Sequence, residues 1–165
     1  MSWIAGIDYS TRAIDVVLVD EDDAQPPRWI RHDLQGQDAF DRTRDVRRSL
    51  RWQWSDDYWA ENCAALGIED PRGQNAGALY RIQGAILAHL LERLLVQPWI
   101  PSQWRKAVGL PGNASKQQVK AFADAMLPRQ HIDDRPSWAT QDAADAWCIA
   151  LATRQAITRT REEAA

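Results

Sequence analysis

Two short apolar runs in this chain each stop on a carboxylate. Trp3-Ile4-Ala5-Gly6-Ile7 ends at Asp8, and Cys63-Ala64-Ala65-Leu66-Gly67-Ile68 ends at Glu69. Runs of this length read as buried strands, and the ends of neighbouring strands lie side by side. Two further acids, Asp142 and Asp145, stand three apart near the start of an alanine-rich helical segment, so they share a helix face. A fold that sets that face over the two strand ends gathers four carboxylates at one point. Two such charges about 5 Å apart repel by roughly 3 kcal/mol at an effective dielectric of about 20, and four acids make several such pairs. Either cations are held there or the acids do not meet. Taken singly, each acid has an ordinary role: Asp8 as a turn former, Glu69 as the edge of solvent, Asp142 and Asp145 as first-turn acids favoured by the helix dipole. Only the combination points to cations.

The rest of the chain supplies a frame for them. Residues 13–20 read as a second strand, joined to residues 3–8 by the hairpin-like Tyr9-Ser10-Thr11-Arg12, and residues 28–33 follow Pro26-Pro27 as a third. Residues 37–51 are charged with sparse apolar positions at Phe40, Val46 and Leu50, the pattern of a solvent-facing amphipathic helix. Residues 63–69 form a strand closed by Asp70-Pro71-Arg72-Gly73. Residues 75–96 carry the longest helical pattern, apolar nearly all round, which predicts packing on the sheet and on a second surface, a subunit interface being one candidate. Residues 98–101 read as a short strand or extended link, and Gly109 to Gly112 as a turn. Ser115 and Gln118 match a capping box ahead of Val119, Phe122, Ala123 and Met126 at helix spacing. Residues 128–138 read as an irregular loop. A last helix is expected from near Thr140 to about Arg159, with residues 161–165 a frayed tail. The order β-β-β-α-β-α-β-α-α predicts an α/β fold, a mixed sheet with helices on its faces.

Composition narrows the class. A chain of 165 residues is most economically one domain, here residues 1–160. No apolar run reaches the roughly 20 residues of a membrane span, and no basic region precedes the first apolar stretch. The expectation is a cytoplasmic protein with no membrane partner. Cys63 and Cys148 are isolated thiols in apolar segments and read as reduced core residues. His32, His89 and His131 have no ligand spacing, which argues against zinc. The net charge of −3 does not advertise a nucleic-acid binder. Arg42, Arg44, Arg47, Arg48 and Arg51 crowd one segment, however, and Arg105, Lys106, Lys116 and Lys120 another. Such patches fit an enzyme whose acids are neutralised by metal, and an ordinary charged surface equally. Of nine tryptophans, Trp3, Trp29 and Trp147 read as core, while Trp52, Trp54 and Trp59 lie among charges and could stack on bases or on a partner.

Four segments, in order, resemble the RuvC-type Holliday junction resolvases of the RNase H-like nuclease superfamily. Gly6-Ile7-Asp8-Tyr9-Ser10-Thr11 is similar to the first-strand motif of that family. Leu66-Gly67-Ile68-Glu69, then Arg72-Gly73-Gln74-Asn75 and Ile82-Gln83-Gly84-Ala85-Ile86, resemble its glutamate strand and following helix. Residues 101–109 and 112–120 resemble its basic loop and helix, and Gln141-Asp142-Ala143-Ala144-Asp145-Ala146 its final acidic motif. The resemblance implies an RNase H-like fold with a central mixed five-stranded sheet flanked by helices on both faces. It implies Asp8, Glu69, Asp142 and Asp145 as catalytic acids binding two Mg2+ ions, with Mn2+ able to substitute, and Lys116 as a residue at the scissile phosphate. Arg72, Asn75, Arg105, Lys106 and Lys120 follow as DNA contacts. A homodimer, with the helix over 75–96 as interface, would resolve four-way junctions by paired symmetric nicks. In such sites paired cations clamp the phosphate, activating water on one side and stabilising the leaving oxygen on the other. Three positions depart from the pattern: Trp104 stands where a second basic residue would fall, Pro111 lengthens the loop, and Arg72 replaces an aromatic. A flap- or fork-directed endonuclease of the same fold and a nucleic-acid-binding module with a degenerate site stay open.

Overall fold

Alternation along the strands decides which side chains face which helices. In the computed structural model, which describes residues 2–53, 62–72, 76–90, 94–126 and 140–164, β1 (Trp3–Tyr9) and β2 (Ala13–Asp20) form an antiparallel hairpin. Ser10 closes it, its Oγ accepting from the backbone N–H groups of Arg12 and Ala13. β3 (Arg28–Asp33) pairs antiparallel with β2; β4 (Cys63–Glu69) runs parallel to β1, and β5 (Leu95–Trp99) parallel to β4. The sheet is mixed and five-stranded in the order β3-β2-β1-β4-β5. Asn75, Trp54, Trp59, Leu91, His131 and the loop expected over 128–138 lie outside the described residues, as do the side chains of Trp52 and His89.

Each sheet face carries its own core. On one, Trp3, Ala5, Ile7, Ile14, Val16, Leu66 and Ile68 pack with Val46 of α1 (Ala39–Gln53) and Ile82 and Ile86 of α2 (Ala76–Leu90). On the other, Ile4, Val17, Val19 and Ala65 pack with Trp104 of α3 (Pro101–Ala107), Val119 and Ala123 of α4 (Lys116–Met126), and α5 (Gln141–Ala164). With a period of two, Asp8, Asp15 and Glu69 share the phase of Ile4, Val17 and Ala65, and so point to the side of α5.

A pair of glycines sets how α5 lies. Gly6 and Gly67 are cross-strand partners in β1 and β4. A Cβ on Gly6 would stand 2.1 Å from the Ala146 carbonyl oxygen, and one on Gly67 2.1 Å from Thr153 Oγ1. The helix therefore rests closely on both strands, its backbone at Ala146 and Ala150 over Gly6 and its Ile149 and Thr153 side chains over Gly67. That seat carries the first turn of α5 to the strand ends where Asp8 and Glu69 stand.

Several elements differ from the expectations. The helix expected over 75–96 is described only to Leu90, and Leu95 and Val96 begin β5. A continuous apolar run hides a switch from helix to strand, and Pro98 is tolerated because β5 is an edge. Nor is α2 apolar all round: Leu79 and Leu87 join the first core, while Gly77, Tyr80, Arg81 and Gly84 are exposed. The short helix α3 was not expected; Pro101 opens it at a position that needs no backbone donor. The capping box of α4 forms, Gln118 Oε1 accepting from Ser115 N at 2.8 Å and Ser115 Oγ from Gln118 N at 3.3 Å. α5 continues past Arg159 to Ala164. Trp3 and Trp147 are buried and Trp29 half-buried. Cys63 and Cys148 are free thiols, pushed up to about 11 and about 12 by burial, which keeps them protonated and inert. Among the described residues no helix is long and apolar enough to cross a membrane.

Candidate active site

The four acids singled out by the sequence form one electrostatic neighbourhood. Burial, and then the charges of Glu69, Asp145 and Asp142, hold the Asp8 carboxyl well above the usual range, with Lys116 opposing. Asp145 is pushed up to about 6, first by burial, against the pull of its Gln141 hydrogen bond and of Lys116. Burial likewise raises Glu69, moderated by a hydrogen bond from Trp104 and by the charges of Arg105 and Lys116. The Asp145 side chain is 6% exposed and that of Asp142 36%, so one lies in the protein and the other at its mouth. Lys116, the first residue of α4, reaches over both: its Nζ lies 3.8 Å from Asp142 Oδ1 and 4.0 Å from Asp145 Oδ2.

Neighbouring donors orient these carboxylates. The backbone N–H of Tyr9 donates to Asp8 Oδ1 at 3.0 Å, and Gln141 Nε2 to Asp145 Oδ1 at 3.1 Å. Trp104 Nε1 donates to Glu69 Oε2 at 3.0 Å. The Glu69 carbonyl accepts from Tyr9 Oη at 3.0 Å and Gln83 Nε2 at 3.2 Å, which pins the end of β4. Trp104 stands where the resemblance places a basic residue. Fully buried on α3, it serves instead as the anchor of an acid.

The basic residues expected on DNA differ in their surroundings. The Arg105 guanidinium lies 4.9 Å from the Trp104 ring centroid, and its charge acts on Glu69 and Asp145. Arg72, exposed just past Glu69, pairs with Asp70 at 3.1 Å. Lys106 is exposed on α3, and Lys120 is tied to Asp124 at 2.7 Å on α4.

A fifth acid escaped the sequence reading. Asp15, 1% exposed, stands opposite Asp8 in the β1–β2 register and opposite Arg31 in the β2–β3 register. Trp29 Nε1 and Arg31 Nη1 both donate to it at 2.9 Å. The signal that could have found it is a lone charge inside the apolar run of β2, with the hairpin folding it back beside Asp8.

An all-carboxylate donor set suits hard divalent cations such as Mg2+ and Mn2+, and fits sulfur- or nitrogen-seeking metals poorly. Among the described residues, no three such side chains stand close enough together to hold a metal ion as placed. The acids stand as repelling neighbours, a charge excess that divalent cations would relieve.

No protein-family model and no curated sequence matches this chain. Solved structures do, and with the topology above they show its fold, an α/β RNase H-like fold. The particular structures it is similar to include RuvC of Thermus thermophilus, with a TM-score of 0.67 at 20% identity over 96% of both chains. The yeast mitochondrial Holliday junction resolvase Ydc2 matches with a TM-score of 0.60 at 14% identity, over 98% of this chain and 82% of its own. Fowlpox virus resolvase, solved with Holliday junction DNA, matches with a TM-score of 0.57 at 14% identity, over 94% of this chain and 98% of its own.

Proposed function

We propose that this protein is a metal-dependent endonuclease that resolves four-way DNA junctions. The observation that carries this reading is that Asp142 and Asp145 face Lys116 while the charges of Glu69, Asp142 and Asp145 act on Asp8, on a fold similar to those of the resolvases named above. Asp8, Glu69, Asp142 and Asp145 would hold two Mg2+ ions, or Mn2+ in their place. When bound, the cations supply Lewis-acid activation of water and charge stabilisation at the phosphate. The chain's own groups prepare the rest. Trp104 and Gln141 fix the directions of Glu69 and Asp145, and Lys116 offers a mobile ammonium to the crowded phosphate. Arg72, Arg105, Lys106 and Lys120, together with Asn75, are the candidates for holding the DNA backbone. Hydrolysis leaves a 5′-phosphate and a 3′-hydroxyl. Paired nicks in symmetric strands need two such sites, so the acting form is a homodimer. The exposed stretch of α2 around Gly77, Tyr80 and Gly84 is its contact candidate.

The test offers a labelled four-way junction, a flap and a plain duplex in parallel, with and without Mg2+. Mg2+-dependent paired nicks in the junction are the expected result. Preference for the flap would replace the reading with a flap- or fork-directed nuclease, and junction binding with no cleavage in any metal would leave a binding module. Asp145→Asn is expected to abolish cleavage while retaining junction binding; an unfolded variant that loses both would remove Asp145 from the argument.

A further inference from the structure

We infer that Arg31, locked in place by the buried Asp15, is a positioning residue that turns the Asp142 carboxylate toward the other acids; the inference rests on the nuclease reading of that site. Three strands place the parts in one row, since Asp8 pairs with Asp15 and Asp15 with Arg31. Asp15 is almost wholly buried, and a buried carboxylate is tolerated only when its oxygens are satisfied. Trp29 Nε1 takes one oxygen and Arg31 Nη1 the other, each at 2.9 Å. Arg31 Nε is held in turn by Asp33 Oδ1 at 2.9 Å. Held at two of its three nitrogens, the guanidinium has little freedom, and its Nη1 stands 3.6 Å from Asp142 Oδ2. The other Asp142 oxygen, Oδ1, faces Lys116 at 3.8 Å.

The two cations near Asp142 therefore differ in kind. Lys116 is 65% exposed on a flexible stem and can leave for a phosphate, whereas Arg31 is anchored in the sheet. When Lys116 moves, Arg31 stays beside Oδ2 and leaves Oδ1 on the side that it shares with Asp145. The Asp15–Arg31 pair is itself neutral, so it adds direction to the site with little change in total charge. A planar fork with several fixed donors suits this task better than an ammonium. Partners of this kind behind a metal ligand typically contribute roughly 10–100-fold to metal affinity or activity.

The measurement is Mn2+ binding to the full-length protein by calorimetry, without DNA, alongside single-turnover junction cleavage across a Mn2+ titration. Arg31→Ala is expected to weaken Mn2+ binding roughly tenfold or more, by moving the half-maximal Mn2+ concentration rather than the rate at saturation. Arg31→Lys should recover part of the loss. Because Arg31→Ala strands the Asp15 charge, the charge-neutral double variant Asp15→Asn with Arg31→Gln is measured beside it. That variant should melt near wild type and still lose Mn2+ affinity. Mn2+ binding by both variants at wild-type strength would overturn the inference. Wild type that binds Mn2+ yet cuts no branched DNA would sink the nuclease reading alone, and wild type that binds no Mn2+ would sink both.

Discussion

Trp104 ties a core residue to the chemistry through one atom. Its ring fills the second core, and its single polar group, the indole N–H, is given to Glu69. A hydrogen bond to a charged acceptor contributes roughly 1.5–3 kcal/mol, and it also fixes the direction of the carboxylate. Trp104→Phe keeps most of the packing and deletes the donor. The expected outcome is junction cleavage slowed roughly tenfold, with junction binding in EDTA unchanged. An unaltered rate would mean that Glu69 needs no anchor. Asp8, Glu69, Asp142 and Asp145 were legible in the sequence because each interrupts an apolar pattern. Trp104 was not, since a tryptophan that fills a core and one that holds an acid look alike until the acid is seen beside it.

At the scale of elements, the site depends on how closely α5 approaches the sheet. Gly6 and Gly67 remove the side chains that would hold the helix away, and in both places the obstacle lies on α5, a backbone carbonyl above Gly6 and the Thr153 hydroxyl above Gly67. Overpacking a core by one methyl commonly costs about 1–3 kcal/mol, and over Gly6 the obstacle is backbone, which cannot turn aside as a side chain can. Gly6→Ala is therefore expected to lower unfolding stability by about 3 kcal/mol and to lose cleavage with it, because the Asp145 turn is lifted from Asp8. Urea unfolding checks this; an unchanged midpoint would show that α5 has room to shift. The individual strands and most helices were readable from periodicity. The junction between α2 and β5 was not, because Leu94, Leu95 and Val96 extend an apolar run that fits either period.

The whole molecule carries an unresolved charge, and its stability should report it. An acid held higher in the folded than in the unfolded state binds its proton more tightly when folded. Its contribution is then largest at low pH and is lost as pH rises to the folded value. For Asp145, raised from 3.8 to about 6, the loss falls between about pH 4 and 6 and amounts to something on the order of 3 kcal/mol. Asp8 and Glu69 are raised too and act in the same sense. The metal-free protein is thus expected to melt at a higher temperature at pH 5 than at pH 7. Saturating Mg2+ should raise the melting temperature at pH 7 and do little at pH 5, where protons compete for the same oxygens. Asp145→Asn should flatten the metal-free profile and shrink the Mg2+ increment. A wild-type profile that is flat, or that falls toward pH 5, would show that the acids are not coupled as described.

By itself the sequence determined the alternating strands, the helix periods, the capping box and the four acids at their pattern breaks, because each is written in spacing along the chain. The resemblance in four ordered segments then pointed to an RNase H-like sheet. Only the tertiary structure decided that Asp15 and Arg31 join the row beside Asp8, that Trp104 holds Glu69, and that Gly6 and Gly67 meet beneath α5. Those facts rest on contacts between strands and helices far apart in sequence, where register and facing are set by packing. Local spacing carries no record of which distant side chain will stand at hydrogen-bond distance.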